Sequence, residues 1–134
     1  IGVLLGGRIL YWMDIAAAIC SQQHTNRVAV TVSVDHLSFL KPINIGDIVH
    51  IAAQVTRVFD TSMEIFVEAW KTSIKNQSKI KTHEAFFTFV AIDDDGKKTH
   101  IAEIVPETER EKMLYETAWK RRKQRLSEKK LCIK

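Results

Sequence analysis

The chain has 134 residues, 46% of them hydrophobic, with 20 Lys and Arg against 16 Asp and Glu for a formal net charge of +4. That length suits one domain around one core, residues 1–134. The modest positive balance suits an anionic ligand and falls short of a nucleic-acid binder's footprint.

No apolar run reaches the roughly 18 uncharged residues that read as a membrane span. The first one is broken by Arg8 and Asp14. No basic-then-apolar leader is present, and the sequence opens without Met inside an apolar stretch, so further residues are expected upstream. The two cysteines, Cys20 and Cys132, have neither disulfide-scaffold nor metal spacing, which predicts a reducing, cytoplasmic setting.

Gly6-Gly7 open a helical pattern from Arg8 to Gln23. Ile9, Met13, Ala16, Ala17 and Cys20 fall on one face, and Leu10, Ile15, Ala18 and Ile19 make the other face apolar too. Such a helix is expected to be surrounded by protein. Asp14 is the only acidic residue before Asp35 and sits in the middle of this run. A carboxylate taken out of water without a partner costs several kcal/mol, so Asp14 needs an explanation.

Four strands are predicted next. Val28, Val30, Val32 and Val34 alternate with Ala29, Thr31, Ser33 and Asp35 in period two. "KPINIGD" (Lys41 to Asp47) reads as a turn. The second strand runs from Ile48 to Val58, "FDTS" turns it, and the third covers Met63 to Trp70. After a polar loop from Lys71 to Lys79, the fourth runs from Lys81 to Ile92, and "DDDG" closes it. A surface helix is predicted from Pro106, with basic residues crowding its end. The fold class is therefore α+β: an antiparallel sheet wrapped round a central helix, plus a C-terminal surface helix.

"GVLLGGRILYWMDIAAAI", "TVSVDHLSFLKPINIGDIV", "VTRVFDTSMEIFVEAW", "FFTFVAIDDDGK" and "VPETEREKMLYETAWKRR" together resemble the hot-dog-fold acyl-CoA thioesterases, closest to the cytosolic long-chain acyl-CoA thioester hydrolase type. The similarity covers essentially the whole chain in order. It implies hydrolysis of fatty acyl-CoA to free acid and coenzyme A, without a cofactor. It also implies homodimers, often assembled as trimers of dimers. The family's catalytic helix aspartate carries over to Asp14, and its thioester-polarising backbone amide carries over to Gly6 and Gly7. Relatives have an asparagine-bearing strand before the Gly-Gly segment, a stretch absent from this sequence.

Thioester hydrolysis needs a base or nucleophile and a donor for the developing oxyanion. Gly7 and Asp14 on one helix stand roughly 10 Å apart, too far to serve one carbonyl. Two antiparallel copies of the helix bring Gly7 of one toward Asp14 of the other, which predicts a two-fold dimer with sites at its interface. Asp14 either activates water or attacks directly. The competing readings are a buried structural carboxylate for Asp14 and a tight turn for Gly6-Gly7.

Arg57, Thr61 and Ser62 are candidates for coenzyme A phosphates, against ordinary turn chemistry. Phe39 and Leu40 are candidates for the acyl or pantetheine channel, against core packing. Asp35 and His36 are adjacent on a strand, so they point to opposite faces and form no dyad. No histidine pair has metal-ligand spacing, no Gly-x-Ser-x-Gly elbow occurs, and "DDDG" lacks the Glu of a calcium loop. "KRRKQR" (Lys120 to Arg125) reads as a solvated helix end. A non-catalytic acyl-CoA sensor on the same fold is the main alternative; a dehydratase and a nucleic-acid protein rank below it. No membrane association is expected.

Overall fold

A computed structural model describes residues 6–75 and 77–133, with the side chains of 129–133 excluded. The start of the apolar opening, up to Leu5, and the Cys132 side chain lie outside the described residues. The elements are α1 (Gly6–Thr25), β1 (Val28–Phe39), β2 (Ile48–Phe59), β3 (Ser62–Thr72), β4 (Ile80–Ile92) and α2 (Glu109–Ile133). The strands form one antiparallel sheet in the order β1-β4-β3-β2.

α1 lies across one face of this sheet. Ile9, Met13, Ala17 and Ser21, four residues apart, are buried against it. They meet Met63, Ile65, Val67 and Ala69 of β3 and Ala85, Phe87, Phe89 and Ala91 of β4, one residue in two along each strand. Within the single chain the sheet covers one side of the helix. Tyr11, Trp12, Ile15 and Ile19 stay exposed on its other side, because four strands supply one face and no second layer.

Strand β1 departs from its sequence pattern for a local reason. A bulge between Thr31 and Ser33 puts two residues opposite one, and a second lies between Asp35 and Ser38, with His36 at φ 51°. Each bulge shifts the alternation by one. Val28 and Val30, paired with Ile92 and Val90, therefore face away from α1, while Val34, paired with Phe87, shares the α1 face with Thr31. Between β1 and β2, Gly46 adopts φ 96°, a conformation that disfavours any side chain, and Asp47 Oδ2 accepts the Asn44 amide at 2.8 Å.

The opposite face of the sheet carries charge. Glu64, Phe66 and Glu68 of β3 stand beside Thr88, Phe86 and Glu84 of β4. α2 covers them through basic side chains. Glu64, fully buried, takes a bidentate contact from Arg121 (Nε at 3.0 Å, Nη2 at 2.7 Å) and the Thr56 hydroxyl at 2.6 Å. Arg121 also lies over the Phe86 ring. Glu68 binds Lys81 and, at 2.6 Å, Arg110; Asp35 meets Arg125 at 3.3 Å. The "KRRKQR" run is thus not simply solvated. Its lysines face water, while Arg121 and Arg125 bind the sheet and Arg122 covers Phe59 and Trp119.

α2 begins at Glu109 rather than Pro106. Thr108 caps it, its hydroxyl accepting the Glu111 amide at 3.0 Å while Glu111 accepts the amides of Glu107 and Thr108. This reciprocal Thr-x-x-Glu box defines the helix start, and those two backbone bonds hold the Glu111 carboxyl below the usual range.

Removing one partner of the inner ion pair leaves a buried charge alone. Arg121→Ala is expected to cost about 3–5 kcal/mol, and Glu64→Leu with Arg121→Met together distinctly less. Urea unfolding of the three proteins checks this; equal losses would mean that the pair does not anchor α2.

Candidate active site

Asp14 lies on the flank of α1, between the buried stripe and the exposed one, and is half-buried. The Thr31 hydroxyl of β1 donates to its Oδ1 at 2.8 Å. Among the described residues no cation pairs with Asp14 and no backbone amide donates to it. Thr31 escaped the sequence reading. Its signal was faint: a small hydroxyl residue among valines on an alternating strand.

Gly6 and Gly7 form the amino end of α1, both exposed. Neither has a positive φ, so a strained turn is not why they are glycines. A methyl group at Gly6 would lie 3.4 Å from the Phe39 ring, and at Gly7 it would meet nothing within 4 Å. Nothing described in this chain requires a bare backbone at residue 7.

These groups mark two ends of one edge. Asp14 is tied to Thr31, and Gly6 lies by Phe39, at opposite ends of β1. β1 is an edge strand, with its outer side unpaired among the described residues.

The remaining candidates divide. Phe39 and Leu40 line a cavity of about 360 Å³ with Gly6 and His83, on the same side as α1. Arg57 is elsewhere: its guanidinium donates to the Tyr115 carbonyl at 3.0 Å and stacks on the Tyr115 ring beneath α2. Thr61 and Ser62 form the β2–β3 turn, the Thr61 carbonyl accepting the Ala91 amide and the Ser62 hydroxyl reaching the Phe59 carbonyl. The chain does not bring these three to Asp14. Cys20 is half-buried beside β2, and burial pushes its thiol pKa up, which leaves it a poor nucleophile. Among the described residues no cluster of His, Cys, Asp and Glu is placed to hold a metal, and no helix is long and apolar enough to cross a membrane.

The Thioesterase superfamily profile matches residues 1–76. This chain belongs to that family. It is 39% identical over 126 residues to "Uncharacterized acyl-CoA thioester hydrolase YkhA" of Bacillus subtilis, covering 94% of this chain and 73% of that one. Among solved structures, an apo-hexameric acyl-CoA thioesterase superposes with a TM-score of 0.92 at 34% identity, covering 96% of this chain and 82% of the other. The acyl-CoA hydrolase of Staphylococcus aureus, solved with butyryl coenzyme A and coenzyme A, gives 0.89 at 36% identity over 98% and 82%. The hot-dog architecture expected from the resemblance is thus the architecture of these superfamily neighbours. Variants of the Staphylococcus protein with an aspartate, or a threonine 17 positions after it, replaced by alanine have also been solved.

Proposed function

We propose that this protein hydrolyses acyl-CoA thioesters, with Asp14 as the base or nucleophile and the amino end of α1 as the oxyanion donor. The observation that carries this reading is the Asp14–Thr31 contact on an otherwise unpartnered flank. Asp14 and Thr31 are 17 residues apart, the spacing of the aspartate and threonine altered in the Staphylococcus hydrolase. At the amino end of a helix, backbone N–H groups lack intrahelical acceptors and favour developing negative charge. As a base, Asp14 takes a proton from water as the oxygen adds to the thioester carbonyl; the C–S bond then breaks and the sulfur receives that proton, leaving as the coenzyme A thiol. As a nucleophile, the Asp14 carboxylate attacks the carbonyl and expels coenzyme A as the C–S bond breaks, and water then hydrolyses the acyl anhydride to free acid and the Asp14 carboxylate. The step uses water and substrate alone.

The reading includes a partner subunit. A two-fold axis normal to the β1 edge exchanges its ends, bringing Asp14 and Thr31 of one copy beside Gly6 and Gly7 of the other. It also covers Tyr11, Ile15, Val34 and Phe39, all exposed in the single chain. A long edge strand with apolar neighbours is a template for pairing, and hexameric structural neighbours agree with a trimer of such dimers. Fatty acyl groups as substrates and a cytoplasmic setting complete the proposal, supported by apolar Phe39 and Leu40 near Gly6 and by cysteine spacing that suits neither a disulfide scaffold nor a metal site. Arg57, Thr61 and Ser62 remain candidates for the phosphates only as a surface contributed to another copy's site.

A non-hydrolysing acyl-CoA sensor is separated from this reading by turnover. Thiol release from a ladder of acyl-CoA esters is expected for wild type, with a fall on the order of 10²-fold or more in Asp14→Ala; tight binding without turnover in wild type sinks the enzyme. Thr31→Val is expected to lower turnover about tenfold with folding kept, since one hydrogen bond to a charge is lost. Gly7→Ala discriminates further. It leaves stability unchanged or raises it by up to about 1 kcal/mol yet lowers turnover, whereas unchanged turnover removes the glycine from the site. Val34→Lys with Ile15→Glu is expected to give folded, slower-turning monomers by sedimentation velocity; full activity in a monomer would overturn the shared site.

A further inference from the structure

The cavity beside Gly6 has walls of Phe39, Leu40, Pro42 and Ile43, with the exposed Lys41 at its rim. One interior wall residue is polar. His83 of β4 stands opposite Ala69 on the α1 face of the sheet and is only 5% exposed. Phe39 faces it across the β1–β4 ladder, the two rings meeting edge to face with centroids 5.0 Å apart. The same Phe39 ring touches the space over Gly6. Gly6, Phe39 and His83 therefore form one continuous surface running inward from the amino end of α1.

The protonation of His83 follows from its neighbours. The Thr82 hydroxyl donates to the Ala69 carbonyl at 3.2 Å and lies 2.9 Å from His83 Nδ1. A hydroxyl has a single proton. With that proton on Ala69, the Thr82 oxygen accepts from Nδ1–H, and Nε2 on the far edge of the ring is a bare lone pair. Among the described residues Nε2 has no hydrogen-bond partner, and His83 forms part of the cavity wall. Burial holds the imidazole below its ordinary pKa, so the neutral ring prevails near pH 7.

We propose that His83 determines acyl specificity: Nε2 accepts a hydrogen bond from a hydroxyl on the acyl chain, so that hydroxylated acyl groups are favoured over unsubstituted ones of equal length. This rests on the acyl-CoA reading above. An unsubstituted chain would dry Nε2 without giving it a partner, which penalises binding of that chain. A pantetheine arm fits the cavity less well. Its two amides bring several donors and acceptors, whereas His83 is the one polar side chain among the aliphatic and aromatic side chains of the interior wall.

The test compares kcat/KM for pairs of saturated and hydroxylated acyl-CoA esters of equal length, with the hydroxyl at C3 and at more distal carbons. Wild type stands beside His83→Phe, which keeps a ring against Phe39, and His83→Gln, which keeps an acceptor. Wild type is expected to favour the hydroxylated member by about tenfold at one hydroxyl position. His83→Phe is expected to lose that preference by lowering the hydroxylated value alone, and His83→Gln to retain part of it. Equal values within every wild-type pair would overturn the proposal, even if His83→Phe failed to fold. So would a His83→Phe loss falling equally on both members, the mark of packing or of a pantetheine contact. No turnover of any ester by wild type would overturn the acyl-CoA reading itself, a result distinct from turnover without discrimination.

Discussion

α1 is apolar on two sides, and the sheet of its own chain can cover only one. Ile9, Met13 and Ala17 occupy the inner stripe; Tyr11, Ile15 and Ile19, at the same spacing of four, occupy the outer one. Burying a large aliphatic or aromatic side chain fully is worth about 1.5–3 kcal/mol, so the outer stripe is a standing driving force for a second surface. Asp14 lies on the boundary between the stripes. There it is half-buried in the single chain, within reach of solvent.

The other face of the sheet solves a different problem. Its central strands present Glu64, Glu68 and Glu84 rather than an apolar stripe, so the covering helix must bring cations. α2 does so with Arg110 near its start and Arg121 and Arg125 in its later turns, each reaching a different carboxylate. Buried pairs of this kind add little net stability over apolar packing. What they fix is position, because Arg121 satisfies Glu64 in a bidentate geometry that a shifted helix would lose. Aromatic contacts support the arrangement, with Trp119 edge-on to Phe59 at 5.2 Å and Arg57 between them and Tyr115. Arg57 is thereby committed to docking within its own chain.

The elements were legible because their signals are local. Alternation in Met63 to Trp70, the apolar run of α1 and the Gly46 and Gly96 turns all depend on neighbours in sequence. What escaped was set by pairing. The first bulge of β1 moves Val34 to the face opposite Val28, and no feature of "VAVTVSVDH" announces it. Arg121 and Glu64 are 57 residues apart in sequence, so the basic run reads locally as a solvated helix end. The Thr108–Glu111 box was available to inspection and was passed over in favour of Pro106. At the site, Asp14 stood out as a charge in an apolar run, whereas Thr31 became visible only when β1 was laid beside α1.

The polar groups left unfinished by this chain fall along one flank. Asp14 has a single described partner, Gly7 has empty space where a side chain would fit, and Nε2 of His83 has an open lone pair. Elsewhere the buried polar groups are largely closed off: Glu64 by Arg121 and Thr56, Glu68 by Arg110 and Lys81, Thr82 by Ala69. A cavity of about 990 Å³ beside Gln22, Asn26, Asp93 and Asp94 has neither Asp14 nor Gly6 or Gly7 in its walls. Folding stability favours satisfying each polar group within the chain. A flank where Asp14 keeps few partners, next to a strand edge and an apolar stripe left uncovered by the described residues, suits the shared thioester site we propose, in which a second protein surface and a polar-headed ligand supply the missing contacts.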